Sequence, residues 1–241
     1  MRLAIISDIH GNLEAFREVL ADIDRAEVDG IASLGDNIGY GPEPEEVVQL
    51  IRQRNIPSVM GNHELAVVDT GCLDRMNPSA RESLVLTKQL LSPDTVNYIN
   101  TLKPSMTFHK SLCVHGCPPD SVTRYLFELS KTQLRELFLS MKEKVCFVGH
   151  THFPKIIAFD GQEVEGLPLQ EGVFTLGQEH QYIINVGSVG QPRDGNNNAK
   201  YVIWETSTGS IEMRFVRYDI AATASKILEI GFPEYNATRL W

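Results

Sequence analysis

The chain opens on a short apolar run, Leu3-Ala4-Ile5-Ile6, which breaks into Asp8-Ile9-His10-Gly11-Asn12 and then into apolar residues at helical spacing, Leu13, Phe16, Val19, Leu20 and Ile23. That change of period describes a buried strand followed by a helix with one face on a sheet. A second apolar run, Ile31 to Leu34, follows Gly30 and completes a βαβ unit. Its two strands should be parallel and its crossover right-handed, which commits the chain to an α/β architecture.

The strands also end alike. The first gives way to Asp8 and His10, the second to Gly35-Asp36-Asn37. Pro44 suits the first turn of a helix that turns Val47, Val48 and Ile51 inward. Residues Pro57 to Met60 then read as a third short strand, ending in Gly61-Asn62-His63-Glu64. Three successive strands therefore deliver Asp, Asn or His at the carboxyl end, the edge where open α/β sheets place their ligands. Side chains two apart share a face of a strand, so Asp8 and His10 can close on one ion where Gly11 and Asn12 turn the backbone.

Residues 77–102 read as helical, with Leu84, Leu91 and Ile99 inward, Ser92-Pro93 as an N-cap and first-turn pair, and the whole forming part of a rim over the site. Met106 to Phe108 and Leu112 to Val114 are short strands, the second feeding His115-Gly116. Ser130-Lys131-Thr132-Gln133 has capping-box spacing and opens a helix through Leu134, Leu137 and Phe138. Val145 to Val148 is a further strand, ending in Gly149-His150-Thr151-His152. The texture then changes to β-hairpins, with Ile156–Phe159, Gly172–Leu176, Tyr182–Val186, Tyr201–Trp204 and Ile211–Val216 expected to build a second sheet or extend the first. Asp219 caps a final helix ending near Gly231, and the tail to Trp241 is expected to pack on the body. With no repeat, low-complexity tract or linker, residues 1–241 are expected to form one domain.

A chain of 241 residues buries about 70–75% of its unfolded surface, enough for a two-sheet core without staples. Its 42% hydrophobic and 22% charged residues exclude disordered and fibrous classes. Met1 leads straight into the first strand with neither a basic segment nor a long apolar one, and no stretch is long enough to span a bilayer, so a cytoplasmic protein is expected. Cys72, Cys113, Cys117 and Cys146 lack a disulfide framework and read as reduced thiols. Cys113 and Cys117 flank His115, but without paired Cys-x-x-Cys spacing they read as packing residues rather than a zinc site. Asn236-Ala237-Thr238 matches a glycosylation sequon by chance. The net charge of −9 opposes binding to long nucleic acid, whose affinity comes from Lys and Arg on phosphates, but leaves small anions open.

Collected from the strand ends, the candidate constellation is Asp8, His10, Asp36, Asn62, His63, His115, His150 and His152, leaving only His109 and His180 of the seven histidines outside it. One histidine in a loop is ordinary; five at strand ends beside glycines are not. Oxygen and nitrogen donors without a required thiolate suit borderline first-row ions, manganese, iron or zinc, rather than calcium. Two ions fit the donor count better than one, with Asp36 as the natural bridge between ions about 3.5–4 Å apart.

At this point the chain resembles the calcineurin-like metallophosphoesterases. Asp8-Ile9-His10, Gly35-Asp36, Gly61-Asn62-His63-Glu64, His115-Gly116 and Gly149-His150-Thr151-His152 match the family's five blocks in order over most of the chain. The resemblance implies a four-layer α-β-β-α sandwich with two mixed sheets and a dinuclear metal site at the strand carboxyl ends. It implies one metal held by Asp8, His10, Asp36 and His152, and another by Asp36, Asn62, His115 and His150. Two divalent ions, manganese favoured, lower the pKa of a shared water to about 7 and clamp the phosphoryl oxygens during in-line displacement. By the same resemblance His63 is no ligand but the catalytic group that protonates the leaving oxygen or steadies the transition state.

Where the protein-phosphatase branch of the family has Asp-Arg-Gly, this chain runs Asn37-Ile38-Gly39-Tyr40-Gly41-Pro42. An expected arginine and the usual acidic partner of the catalytic histidine are both gone. The loop, with Asn185-Val186-Gly187-Ser188-Val189-Gly190-Gln191-Pro192-Arg193, resembles the compact bacterial and archaeal phosphodiesterase group, although Val186 replaces a proline common there. Arg193 offers a fork of donors to a substrate phosphate, or else an ordinary surface ion pair. Tyr40 and Asn37 line the pocket or are turn residues. The expected activity is hydrolysis of small phosphodiesters. Alternatives are a dinucleoside polyphosphate hydrolase, a phosphomonoesterase or phosphoprotein phosphatase on the same site, a nuclease, and a non-catalytic metal-binding scaffold. Net acidity and the lack of a basic stripe count against the nuclease.

Overall fold

The structure, a computed structural model, describes residues 1–241. In chain order the first half carries β1 (Arg2–Ile6), α1 (Leu13–Arg25), β2 (Gly30–Ser33), α2 (Pro44–Gln53), α3 (Asn62–Val68), α4 (Thr70–Leu73), α5 (Pro78–Leu90), α6 (Pro93–Thr101), β3 (Ser105–Phe108) and β4 (Ser111–Val114). The second half carries α7 (Lys131–Ser140), β5 (Val145–Val148), β6 (Lys155–Phe159), β7 (Val164–Pro168), β8 (Gly172–Thr175), β9 (Gln181–Asn185), β10 (Ala199–Glu205), β11 (Ser210–Val216), α8 (Ile220–Ile230) and α9 (Glu234–Thr238). No helix is long and apolar enough to cross a membrane.

The strands form two mixed sheets, of order β2-β1-β10-β11-β8 and β3-β4-β5-β9-β6-β7. β1 and β2 are parallel, as the βαβ reading requires, and so are β4, β5 and β9; the remaining pairs are antiparallel. Period-two alternation assigns the faces. Leu3 and Ile5 of β1 meet Phe147 of β5, Ile184 of β9 and Trp204 of β10 between the sheets. Ala4 and Ile6 face the other way, onto Phe16, Val19 and Ile23 of α1 and Val47 and Ile51 of α2. Cys146, Val148 and Ile183 look out from the second sheet onto Phe138 of α7. Helix, sheet, sheet and helix are thus stacked in four layers, each interface closed by its own apolar cluster.

The hairpins of the second half join neither sheet as a block. β8, β10 and β11 complete the first, while β6, β7 and β9 complete the second. Residues 57–60 correct the expectation of a third strand: they pair only through single bridges, Ser33 with Ser58 and Val59 with Lys103. Pro57 has no N–H to give a ladder, and its carbonyl accepts from Ser33 N at 2.9 Å instead. The sequence reading also misses β7, whose Val-Glu-Gly-Leu-Pro lacks alternation and exposes every residue but Val164. The helical region 77–102 is α5 and α6, and the second starts at the expected cap: Ser92 caps α6, and Glu45 of α2 accepts from Ser92 N and Oγ, both at 2.9 Å.

Candidate metal centre

The candidate residues meet at the carboxyl ends of β1, β2, β4 and β5 because the backbone turns sharply there. Asp8, His10, Asp36, His150 and His152 all take left-handed conformations, with φ of 53°, 52°, 51°, 67° and 63°. Such a conformation costs roughly 1–2 kcal/mol for a residue with a side chain, and such residues concentrate at functional sites. Neighbouring loops hold these turns in place. Asp8 N donates to Gly35 O at 3.0 Å, His10 N to Asp36 O at 2.9 Å, and Gly149 N to His115 O at 2.9 Å. Gly35 lies so close to the next loop that a Cβ there would sit 2.4 Å from Gly61 N.

Two clusters result, both buried. In one, His152 Nε2 lies 3.2 Å from both Asp8 Oδ1 and His10 Nε2. In the other, His115 Nε2 lies 3.2 Å from Asp36 Oδ2, 3.2 Å from His150 Nδ1 and 3.1 Å from Asn62 Oδ1. Asp36 Oδ2 is also 3.9 Å from His10 Nε2, so one carboxylate oxygen faces both groups. Donors about 2.0–2.2 Å from a single cation lie about 2.8–3.6 Å from one another at tetrahedral to octahedral angles. The separations of 3.1–3.2 Å fall in that range, while Asp36 Oδ2 and Asp8 Oδ1 lie slightly beyond it from His10 Nε2, at 3.9 Å and 3.7 Å.

The outer ring nitrogens prepare the inner ones. His10 Nδ1 donates to Ile38 O at 3.0 Å, His115 Nδ1 to Leu34 O at 2.9 Å, His150 Nε2 to Thr123 O at 3.2 Å and His152 Nδ1 to Gln191 O at 2.5 Å. Each bond fixes the tautomer that turns a lone pair inward, the usual support of a metal-ligating histidine. The carboxylates are divided the same way. Asp8 Oδ2 accepts from Ser7 Oγ at 2.6 Å and His150 N at 3.1 Å, while Asp8 Oδ1 is buried with no hydrogen-bond partner. Asp36 Oδ1 accepts from His63 N at 2.8 Å and leaves Oδ2 to the histidines. An orphaned carboxylate oxygen among inward lone pairs fits a divalent cation in chemistry as well as spacing.

Electrostatics agree. Burial keeps most of the imidazoles neutral, taking His150 down to about 3, with help from the charge of His115, and His10 well below its usual range. Burial also disfavours a charged His115, but the carboxylates of Asp36 and Asp8 override it and push its pKa up to about 9. Burial works to raise Asp8 and Asp36, yet the surrounding histidines hold both below the ordinary carboxylate range. Concentrated negative charge therefore draws positive charge to Asp36 Oδ2, where a cation would replace the proton of His115.

His63 stands beside the clusters, its ring 4.7 Å from that of His10 and 4.6 Å from that of Tyr40, centre to centre. Its Nε2 is 3.9 Å from Asp36 Oδ2, so distance alone groups it with His10 and Asp36 as a possible donor set. Burial takes its pKa down to about 4 against the pull of Asp36. No carboxylate answers its buried Nδ1, which instead lies against Gly39, where a Cβ would come within 2.1 Å of it.

A cavity of about 680 Å3 opens over Asp36, Asn62, His63, His150 and His152. Arg193 and Tyr40 line it, the guanidinium 5.9 Å from the tyrosine ring, and Met76 and Asn77 supply the rim expected from the helical region. Arg193 forms no surface ion pair; its Nη2 donates to Gln191 Oε1 at 2.7 Å. Asn37 is not brought in. Its side chain accepts from Ser33 Oγ at 2.7 Å and donates to Ser58 Oγ at 3.1 Å, beneath the loop, which corrects the expectation that it touches substrate. The thiols of Cys113 and Cys117 are buried and free, and neither joins a metal-capable group.

Sequence reasoning missed the work of Glu64. Fully buried, it accepts from Asn37 N at 2.7 Å, Asp36 N at 2.8 Å and Gly61 N at 3.0 Å, tying the loop of Asp36 to that of Asn62. Burial and the charge of Asp36 raise its pKa to about 7. Its place at the third position of α3 is the signal, since a Glu there reaches back to the cap. Tyr235 and Arg239, also in the cavity wall, carry no local signal at all.

Fold and site together define a class, and comparison with known proteins agrees. The chain belongs to the calcineurin-like phosphoesterase superfamily, whose domain model matches residues 1–209. An uncharacterised protein of Methanocaldococcus jannaschii is 36% identical over 244 residues, covering 99% of this chain and 97% of that one. The crystal structure of a metallophosphoesterase from Sphaerobacter thermophilus aligns at a TM-score of 0.85 and 37% identity, covering 100% of this chain and 98% of that one. A hypothetical protein from Pyrococcus horikoshii shares the fold at a TM-score of 0.81 and 17% identity, over 100% of this chain and 97% of that one.

Proposed function

We propose that the whole chain is one hydrolase unit that cleaves phosphate esters, small phosphodiesters foremost, with two divalent ions, manganese favoured, in the cytoplasm. The observation that carries the reading is Asp36 Oδ2, a single buried oxygen facing two donor clusters at the floor of a substrate-sized cavity. Asp8, His10, Asp36 and His152 would hold one ion; Asp36, Asn62, His115 and His150 would hold the other. Bound there, the ions would supply activation of a water nucleophile at neutral pH and neutralise phosphoryl charge.

The protein's own groups do the rest. Arg193, in the cavity wall beside the floor, offers its guanidinium to a phosphoryl oxygen. Tyr40 packs against the rings of both His10 and His63, which also touch each other, and walls the same side. His63, neutral through burial, donates its Nε2 hydrogen to the charge that develops on the leaving oxygen. A cavity of about 680 Å3 leaves room for ester substituents on both sides of the phosphate, which favours a diester.

The test is turnover of bis-p-nitrophenyl phosphate after chelator treatment and reloading with manganese, beside a panel of monoesters, cyclic and linear diesters and dinucleoside polyphosphates. Metal-restored hydrolysis, reduced at least about 100-fold in His63→Ala, is expected. Metal binding with no turnover across the panel would sink the enzyme and leave a scaffold.

A further inference from the structure

The cavity carries a second group of cations that the hydrolysis of a simple ester leaves unused. Beyond Arg193, its wall includes Arg75, on the segment between α4 and α5, and Arg239, just past α9. Neither is in ion-pair contact with a carboxylate: Arg75 donates to Cys72 Sγ at 3.1 Å, behind which lies Asp69, and Arg239 lies 5.1 Å over the ring of Tyr235. Tyr235 and Arg239 are four residues apart on one turn of helix, so their side chains share a face, and both reach the cavity.

The segment that carries them is anchored firmly. Asn236, buried between them, donates to Tyr40 O at 3.1 Å and to Ser83 Oγ at 2.8 Å. Phe232, Ala237 and Leu240 pack on Ile227 of α8. Arg239 is half-buried, and burial and the charge of Arg193, which lines the same cavity, both lower its pKa. In a chain with net charge −9, a cavity whose wall carries Arg75, Arg193 and Arg239, and whose only lining carboxylate is Asp36 at its floor, is an arrangement that an anion stabilises.

We propose that Arg239, with Arg75 and Tyr235, forms a second anion subsite in the cavity and selects phosphate esters that carry a further phosphate on their organic part. The proposal rests on the phosphoesterase reading of the metal floor, which fixes where the first phosphate lies. The family model ends at residue 209, whereas the subsite is built largely from residues 235 and 239, so it adds substrate selection to the common reaction centre.

Non-hydrolysable probes test it. Manganese-loaded protein is titrated calorimetrically with alkane-α,ω-bisphosphonates of two to eight methylenes and with n-alkylphosphonates of matching length. The wild-type chain is expected to prefer the bisphosphonate at one or more lengths by about tenfold or more, beyond the twofold that two equivalent ends give. That ratio should fall below about threefold in Arg239→Gln and recover in part in Arg239→Lys, which keeps the charge. No preference at any length, or a ratio unchanged in Arg239→Gln, overturns the subsite. Turnover of the full panel of monoesters, cyclic and linear diesters and dinucleoside polyphosphates by the same preparations separates the two claims. Preference without hydrolysis keeps the subsite and removes the phosphoesterase reading, and hydrolysis without preference does the reverse.

Discussion

His10 shows how little freedom a single residue has at this site. Its φ of 52°, its Nδ1 bond to Ile38 O at 3.0 Å and its Nε2 lying 3.2 Å from that of His152 are set by three different segments. Replacing it with alanine removes a donor and a buried ring that touches Tyr40, His63 and His152, but no member of the apolar clusters between the layers. His10→Ala is expected to lose about one ion per chain by elemental analysis and at least about 100-fold in rate, with the thermal midpoint of the chelator-treated protein changed little. Unchanged metal content would contradict the assignment. Gly39 makes a complementary case, because a Cβ there would meet His63 Nδ1 at 2.1 Å and the residue has a φ of 87°. Gly39→Ala should therefore displace His63 while every proposed ligand stays, and lower kcat about tenfold or more with full metal content. A fall in metal content as steep as the fall in rate would show that the loop, not His63, had failed.

At the scale of elements, two polar contacts hold helices in place, one on a loop and a neighbouring helix and one on a sheet. Asn236 joins α9 to Tyr40 and to α5, and Asn236→Ala would leave the buried Tyr40 carbonyl and Ser83 hydroxyl with a lost donor. A loss of about 1–3 kcal/mol is expected, measured by urea unfolding; no loss would show that α9 is held by its apolar residues alone. Asp22 of α1 accepts from Tyr201 OH at 2.8 Å and from Arg214 Nη2 at 2.9 Å, across the face of the first sheet. Burial works to raise the pKa of Asp22, but these hydrogen bonds and the charge of Arg214 hold it below the usual value. A folded-state pKa below the unfolded one, near 3.9, gives stability that is present above about pH 4 and lost as pH falls through the folded value. Asp22→Asn should thus cost about 1.5–3 kcal/mol at pH 7 and progressively less below pH 4. A constant difference between pH 7 and pH 3 would contradict the linkage.

Across the whole molecule, what could be read from the sequence was what is local in it. Strands β1, β2, β4 and β5 announce themselves as apolar runs, and each candidate ligand follows a run within a few residues, so the candidate constellation is legible in order. Residues 57–60 were misread because Pro57 spoils a ladder that an apolar pattern alone suggests, and β7 was missed because an exposed edge strand needs no alternation. Asn37 was assigned to the cavity from its neighbour Asp36, but the turn sends its amide to Ser33 and Ser58. Arg239 could not be found at all, because its place in the cavity is set by the packing of Phe232 and Leu240 about Ile227, nearly 200 residues after Tyr40 in the chain. The centre of the whole arrangement is Asp36 Oδ2 facing both donor clusters. Its most direct test is stepwise manganese titration of chelator-treated protein, with bis-p-nitrophenyl phosphate hydrolysis followed at each addition. Binding of two ions per chain, with the main rise in rate on the second, is the predicted result; saturation at one ion, or two bound ions with no hydrolysis, would contradict it.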